Sequence, residues 1–461
     1  MKKIVLIFSC FVLCIVSKAN VILPSIFGDH MVLQQNAEVT LWGWAKPNEK
    51  ISIIPGWEPK QEYSLIVNNQ SAWNVKIKTP HSGGPYQVTI KGYNTIVIED
   101  VLIGEVWLGS GQSNMEWSAS SGITNAEQEI ANADFPRIRF FNVGTMAASE
   151  PQQLCTGKWE VCTPQTMKYF SAVLYFFGRE IHEKTNFPVG LINSSWGGTP
   201  VEIWMSASSI ANDRILNENA TKLKAVPWGP HEPGRAYNSM IYPLAPFYIK
   251  GALWYQGEGN TINSQHYARS LSTMIQDWRS LWGIDFSFYI AQIAPFAGYG
   301  TDNVNGAIIR DQQRKVVESI PYTGMAVLSD IGDLKDIHPK NKLDAGKRLA
   351  LWALNKDYNR KDILYSGPAY SYYKIEGDKV NLFFDYAEGL NAKGGPLNEI
   401  EAMTSEGKWI PVNGTVKDKS VEIVIKSGQP IKGFRFGYKN DSNLNLFNAA
   451  GLPASCFEVV F

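Results

Sequence analysis

Ser113 stands in the stretch LGSGQSNMEW, residues 108–117, directly after an apolar run and behind Gly109 and Gly111. A hydroxyl in that place has two uses. It can attack an acyl carbon once a base has taken its proton, or it can cap the helix that follows, serine being a favoured N-cap. The pattern is not the G-x-S-x-G elbow of α/β-hydrolases, because position 115 is Met. Three later segments hold groups that a serine nucleophile needs. Gly197 and Gly198 follow FPVGLINSSW and offer either bare N–H groups or a plain turn. Gln256, Gly257, Glu258, Gly259 and Asn260 follow ALWY; the amides can donate to an oxyanion, and Glu258 can orient a neighbour. His338 follows GMAVLSD within IGDLKDIHPKNK, two residues after Asp336. An imidazole beside a carboxylate is a natural general base.

The elements that must bring these groups together read as an α/β unit. VLIGEVWLGSG, RIRFFNV, FPVGLINSSW, IKGALWYQG, DFSFYIAQI and GMAVLSD are apolar strand-like runs. Between them, YFSAVLYFFGREIHEKT, YARSLSTMIQDWRSLW, AIIRDQQRKVVESI and LDAGKRLALWALN carry helical spacing. Strands alternating with helices predict a mostly parallel sheet covered on both faces. Ligands of such sheets bind beyond the carboxyl ends of the strands, and all four chemical segments follow strands. Both ends of the chain differ. Residues 20–98 and 363–461 consist of short alternating runs punctuated by Gly, Pro and Asn, which predict a β-sandwich on each side of an α/β domain at 99–362.

Composition narrows the function. The chain opens MKKIVLIFSCFVLCIVSKAN, a basic start, an apolar run and a small-residue exit, which predicts a secretory signal peptide over residues 1–19. The protein is therefore expected to be secreted or periplasmic. No later stretch could span a membrane. Removing Lys2, Lys3 and Lys18 leaves 40 basic against 43 acidic residues. That balance, without a basic run, argues against nucleic acid as a partner. No cysteine pair or histidine cluster suggests a metal or other cofactor. Cys155 and Cys162, in CTGKWEVC, could bridge in an oxidising compartment or remain free. The 15 tryptophans suit a large core and, where exposed, the stacking of sugar rings.

The blocks GEVWLGSGQSNMEW, NSSWGGTPVEIW, WYQGEGN and DIHPKNK resemble, in order and spacing, those of the SGNH (GDSL-like) hydrolase superfamily, and within it the sialate O-acetylesterase family. AYNSMIYPLAPF resembles a segment lining that family's pocket, and the resemblance runs from about residue 22 to the C-terminus. It implies a three-layer α/β/α core flanked by β-sandwiches, no cofactor, and removal of O-acetyl groups from sialic acid through an acetyl-serine. By the same resemblance Ser113 is the nucleophile and His338 the base. The oxyanion hole comprises the N–H groups of Ser113 and Gly198 and a side-chain amide of Gln256 or Asn260. The family's acid lies three residues before the histidine, where this chain has Lys335. Asp336, Asp333 or a backbone carbonyl then orients His338. Gln112, Glu258, Trp196 and Arg235 are the expected substrate contacts, Arg235 facing the sialic acid carboxylate. The same machinery would serve acetylated xylan or pectic sugars. A secreted carbohydrate-binding protein without activity is the alternative from another class.

Overall fold

The computed structural model describes residues 20–425 and 430–461. The expected signal peptide lies outside the described residues. The chain forms β1 (Val32–Gln34), β2 (Glu38–Trp44), β3 (Lys50–Pro55), β4 (Tyr63–Ile66), β5 (Ala72–Lys78), β6 (Gly83–Lys91) and β7 (Thr95–Gly111) before its first helix. Strand β7 has 17 residues and two characters. Its first half alternates in burial and pairs antiparallel with β6. Its second half, VLIGEVWLGSG, is buried on both faces, as a continuous apolar run in a parallel sheet must be. The boundary expected at residues 98/99 thus falls inside one strand, and a single apolar core runs from the N-terminal strands into the α/β unit. Glu105, on the buried half of β7, accepts hydrogen bonds from Gln34 (3.1 Å), Gln35 (2.6 Å) and Tyr358 (3.0 Å), so its buried charge is met from three directions.

The second half of β7 is the middle of the central sheet. With β8 (Phe135–Asn142), β9 (Trp159–Cys162), β10 (Val189–Ser195), β11 (Gly251–Tyr255), β12 (Ser287–Ala291) and β13 (Thr323–Ala326) the order is β13-β12-β11-β7-β10-β8-β9. Every neighbouring pair is parallel except β8–β9 at the edge. Helix α1 (Ser113–Glu116) is a single turn; the long helices are α2 (Ala172–Thr185), α3 (Tyr267–Trp282), α4 (Asn305–Ser319) and α5 (Lys342–Lys356). The apolar sides of α2 and α5 share one core with one face of the sheet, through residues such as Leu174, Phe177 and Leu349. Those of α3 and α4 share the core on the other face, through residues such as Met274, Trp278 and Ile309. Among the described residues no helix is long and apolar enough to cross a membrane. Cys155, Cys162 and Cys456 are free, buried thiols.

Downstream of α5, two four-stranded antiparallel sheets enclose a separate core built on Leu382, Val421, Phe434 and Phe457. Asn440 fastens this C-terminal part to the α/β unit. It accepts the Gly306 N–H at the start of α4 (2.8 Å) and donates to Gly300 O (2.8 Å).

The carboxyl edge of the sheet is level. Gly111 is in register with Ser195 on one side and with Tyr255 on the other. The Gln112 N–H then donates to Tyr255 O (3.1 Å), and the Trp196 N–H to Gly111 O (3.0 Å), so the ladder continues into the loops. Gly111 has φ +136°, and a Cβ there would lie 2.2 Å from Tyr255 O. Only glycine allows the chain to leave β7 at that angle. Gly111→Ala is therefore expected to destabilise the fold by about 2 kcal/mol or more, read as a lowered midpoint in thermal unfolding.

Candidate active site

The level edge delivers Ser113, Gly197, Gly198 and Glu258 within three residues of the ends of β7, β10 and β11, while His338 arrives on the longer loop after β13. Ser113 is the first residue of α1, following Gln112 in extended conformation. Its Oγ lies 2.9 Å from His338 Nε2, within proton-passing distance. The imidazole is held flat against Trp117, with ring centroids 4.2 Å apart and planes 19° from parallel. Ser113 and Trp117 stand one helical turn apart and so share a face. Asn114 ties the two halves together. Its Nδ2 donates to Ile337 O (3.0 Å), the carbonyl just before His338, and to Glu258 Oε1 (2.6 Å). Its Oδ1 accepts from Lys342 Nζ (2.5 Å). A side chain satisfied on all three sides is fixed in place, and with it the adjoining serine and histidine backbones.

Asp336 is close to the imidazole but not bonded to its ring. Oδ1 accepts the His338 backbone N–H (2.9 Å) and lies 3.6 Å from Nδ1, beyond hydrogen-bond range. Oδ2 is 3.2 Å from Lys340 Nζ. Asp333 Oδ1 accepts the Lys335 N–H (2.8 Å), a contact internal to the loop. The electrostatics favour the neutral form of His338. Burial, and then the positive charge of Lys342, hold its pKa below the usual histidine value of 6.5, against the opposing pull of Asp336. Burial also brings the Lys342 ammonium down to about 7 and raises the Glu258 carboxyl.

The far side of Ser113 is walled by the glycine turn. A Cβ on Gly197 would lie 3.5 Å from Ser113 Cβ, and the Gly197 N–H donates to Glu116 Oε2 (2.7 Å). Gly198 has φ +72°, and a Cβ there would come 2.2 Å from Trp228 Nε1. The Trp228 indole, 61% exposed, thus lies over Gly198 at the mouth of the site. Trp196 Nε1 donates to Trp228 O (3.0 Å) and so anchors the segment carrying that indole.

Several sequence-derived contacts fall elsewhere. Both amide protons of Gln256 are engaged, with Thr199 O (3.1 Å) and Asn260 Oδ1 (2.7 Å). Those of Asn260 go to Glu202 Oε2 (2.8 Å) and Asn263 Oδ1 (3.0 Å). Both residues are buried, so neither of the side-chain donors expected for an oxyanion is available. Gln112 and Glu258, expected at the substrate, are also buried; Gln112 Oε1 accepts the Gly259 N–H (3.1 Å). Arg235 is partly exposed, with Nε 3.9 Å from Glu232 Oε2, on the segment that follows Trp228. The residues absent from the sequence expectation are Asn114, Trp117, Lys342 and Trp228. Asn114 and Trp117 lie in the same turn as the serine, and Trp228 in the Pro/Gly-rich stretch VPWGPHEPG, where an aromatic side chain has few places to hide. A lysine buried behind the site leaves no such signal. The geometry predicts that NMR titration of His338 gives a midpoint below 6.5, with the ring charging only as pH falls through that lowered value; a midpoint above 6.5 would contradict it.

Residues 103–354, which hold all of these groups, match the family described as carbohydrate esterase, sialic acid-specific acetylesterase. The chain is 30% identical over 443 residues to the sialate O-acetylesterase of Pongo abelii, covering 87% of this chain and 84% of that protein. It is 29% identical to the human sialate O-acetylesterase over the same span. A crystal structure of a carbohydrate acetylesterase from Xanthomonas citri superposes with a TM-score of 0.86 at 32% identity, over 95% of this chain and 99% of that one. A match over more than half the chain, joined to a relative of this identity and coverage, makes this protein a member of the sialic acid-specific acetylesterase family of carbohydrate esterases, and hence a carboxylic ester hydrolase.

Proposed function

We propose that this carbohydrate esterase is exported by its N-terminal segment and removes O-acetyl groups from sialic acid through an acetyl-serine intermediate. The observation that carries the mechanism is the 2.9 Å approach of Ser113 Oγ to His338 Nε2 at the carboxyl edge of the sheet. A serine hydroxyl is a weak nucleophile until its proton has somewhere to go. Here it passes to Nε2 as Oγ bonds to the acetyl carbon. The carbonyl oxygen, now negative, is received by the N–H groups of Ser113 and Gly198, each such donor lowering the barrier by roughly 2.7–4 kcal/mol. Collapse of the tetrahedral species breaks the bond to the sugar oxygen, which takes the proton from His338 and leaves acetyl-Ser113. Water then attacks the acetyl carbon, His338 takes its proton and returns it to Ser113 Oγ, and acetate departs.

The sialic acid assignment is supported by the names of the family and of its mammalian relatives. Arg235, on the segment following Trp228, is the cation we assign to the sugar carboxylate. Acetylated xylan and pectic sugars would be cleaved by the same steps, so acetate release from the three substrate classes decides among them. Sialic acid is expected to be cleaved fastest; faster release from xylan or pectin would replace it as substrate. Ser113→Ala is expected to abolish release from every substrate without lowering the unfolding midpoint, and retained turnover would refute the nucleophile.

The 3.6 Å separation of Asp336 from Nδ1 sets a further expectation. Asp336→Asn should reduce kcat less than about 10-fold, against the ~10⁴-fold loss when an aspartate bonded to the imidazole is replaced. A loss of the larger size would make Asp336 a full third member of the constellation.

A further inference from the structure

Lys342 stands where an ammonium is disfavoured twice over. It is the first residue of α5, where the helix dipole already presents positive charge, and it is 1% exposed. Of its three N–H donors one has a partner, Asn114 Oδ1 at 2.5 Å. Among the described residues it forms no ion pair with a carboxylate. The rings of Tyr255 and Trp117 lie beside it, their centroids 5.3 Å and 5.9 Å from Nζ. Perturbed buried charges of this kind gather at functional sites.

Two routes connect this charge to His338. The first runs through Asn114. Its oxygen faces the ammonium, and one Nδ2 proton goes to the buried Glu258 Oε1 (2.6 Å). An amide with a cation on its oxygen and an anion on its nitrogen is polarised, and its hydrogen bonds are strengthened. The other Nδ2 proton goes to Ile337 O (3.0 Å), so the peptide that carries His338 is gripped by that polarised amide. The second route is through space. The imidazole stacks at 4.2 Å on the same Trp117 ring that the ammonium approaches. A buried cation disfavours a second cation beside it, and after burial Lys342 is the strongest influence holding His338 neutral. The imidazole titrates below 6.5 and the lysine at about 7, so the ammonium is charged while His338 takes up its proton.

The other ionisable groups around the pair are weaker or balanced. From the His338 loop, Asp336 favours the charged ring and Lys340 opposes it, and the two pair with each other at the surface (3.2 Å). Glu116, on α1 beyond Ser113, accepts the Gly197 N–H. Tyr255, on β11, and Tyr299 stay uncharged, because burial lifts both hydroxyls well above their usual value of 10.

We infer that Lys342 is a positioning residue of the esterase, fixing the His338 loop through Asn114 and, by its charge, keeping the imidazole a free base toward acid pH. It acts on Asn114 and His338 rather than on the substrate. This deepens the mechanism proposed for Ser113, and only the activity half of the test rests on that mechanism.

The full-length protein is compared with Lys342→Met, which keeps the length and removes the charge, and Lys342→Arg, which keeps the charge. In the Ser113→Ala background, NMR titration of His338 should show a midpoint raised by about half a pH unit or more in Lys342→Met. Lys342→Arg should return it to the parent value. With Ser113 intact, kcat/KM on p-nitrophenyl acetate is followed against pH. The acid limb of Lys342→Met should move to higher pH by the same amount, since a ring that charges more readily is lost as a base sooner. Its plateau should fall about 10-fold through kcat as the loop loosens, and Lys342→Arg should restore the position of the limb. Should Lys342→Met fail to fold, Lys342→Gln, which keeps a donor for Asn114 Oδ1 without the charge, carries the same test. A His338 midpoint in the uncharged variant equal to or below the parent's, or an upward shift that Lys342→Arg reproduces, would overturn the inference. A raised midpoint in a protein whose parent shows no ester hydrolysis would support the action of Lys342 on His338 and fault the Ser113 mechanism instead.

Discussion

The contact of Ser113 Oγ with His338 Nε2 joins residues 225 positions apart, and nothing local holds either of them there. What holds them is Asn114. Its amide bonds the carbonyl preceding His338, the buried Glu258 carboxylate and the Lys342 ammonium at once. The ends of β7 and β11 and the loop leading into α5 are thereby fixed against one another by one side chain. Buried charges are tolerated when each has a partner. Lys342 and Glu258 meet that condition through the same amide, although Glu258 Oε2 is buried without a bond of its own. Trp117 closes the arrangement by stacking on the imidazole, and Lys340 Nζ sits 4.6 Å from the Trp117 ring. The result is a histidine pressed between an aromatic plane and a serine, partly buried and near Lys342 and Lys340, conditions that favour its neutral form.

The same economy of backbone appears at the opposite wall. Gly111, Ser195 and Tyr255 share a register, so the three loops that start there are aligned before any side chain is considered. The glycine turn at 197–198 is held by Glu116 on one side and covered by Trp228 on the other. Backbone N–H groups make better oxyanion donors than mobile amides, because they need no reorganisation as charge develops. The engagement of Gln256 and Asn260 with Glu202, Asn263 and Thr199 fits this division of labour. Those amides stabilise the loops.

The flanking β-rich regions belong to this economy as well. The N-terminal strands share β7 with the central sheet, so the strand that delivers Ser113 begins outside it. The C-terminal sheets are clamped to the start of α4 through Asn440.

The sequence by itself determined the kinds of element and their order, because period and burial are written in each short run. VLIGEVWLGSG reads as a buried parallel strand, and YARSLSTMIQDWRSLW coincides with α3. It also determined that serine, glycine and histidine segments each follow a strand, and these the fold brings to one edge. Tertiary structure decided which polar groups are free. Gln256 and Asn260 are competent donors by type, but each loses one amide proton to a residue 57 or 58 positions away and the other to a close neighbour in the chain. Asn114, Lys342 and Trp228 matter only through partners far along the chain, and a linear sequence holds no record of such distances. The boundary at 98/99 followed the change in texture inside β7, where one face stops meeting solvent although the strand continues. Local pattern reports what a residue can do; the packing of distant segments determines what remains for it to do.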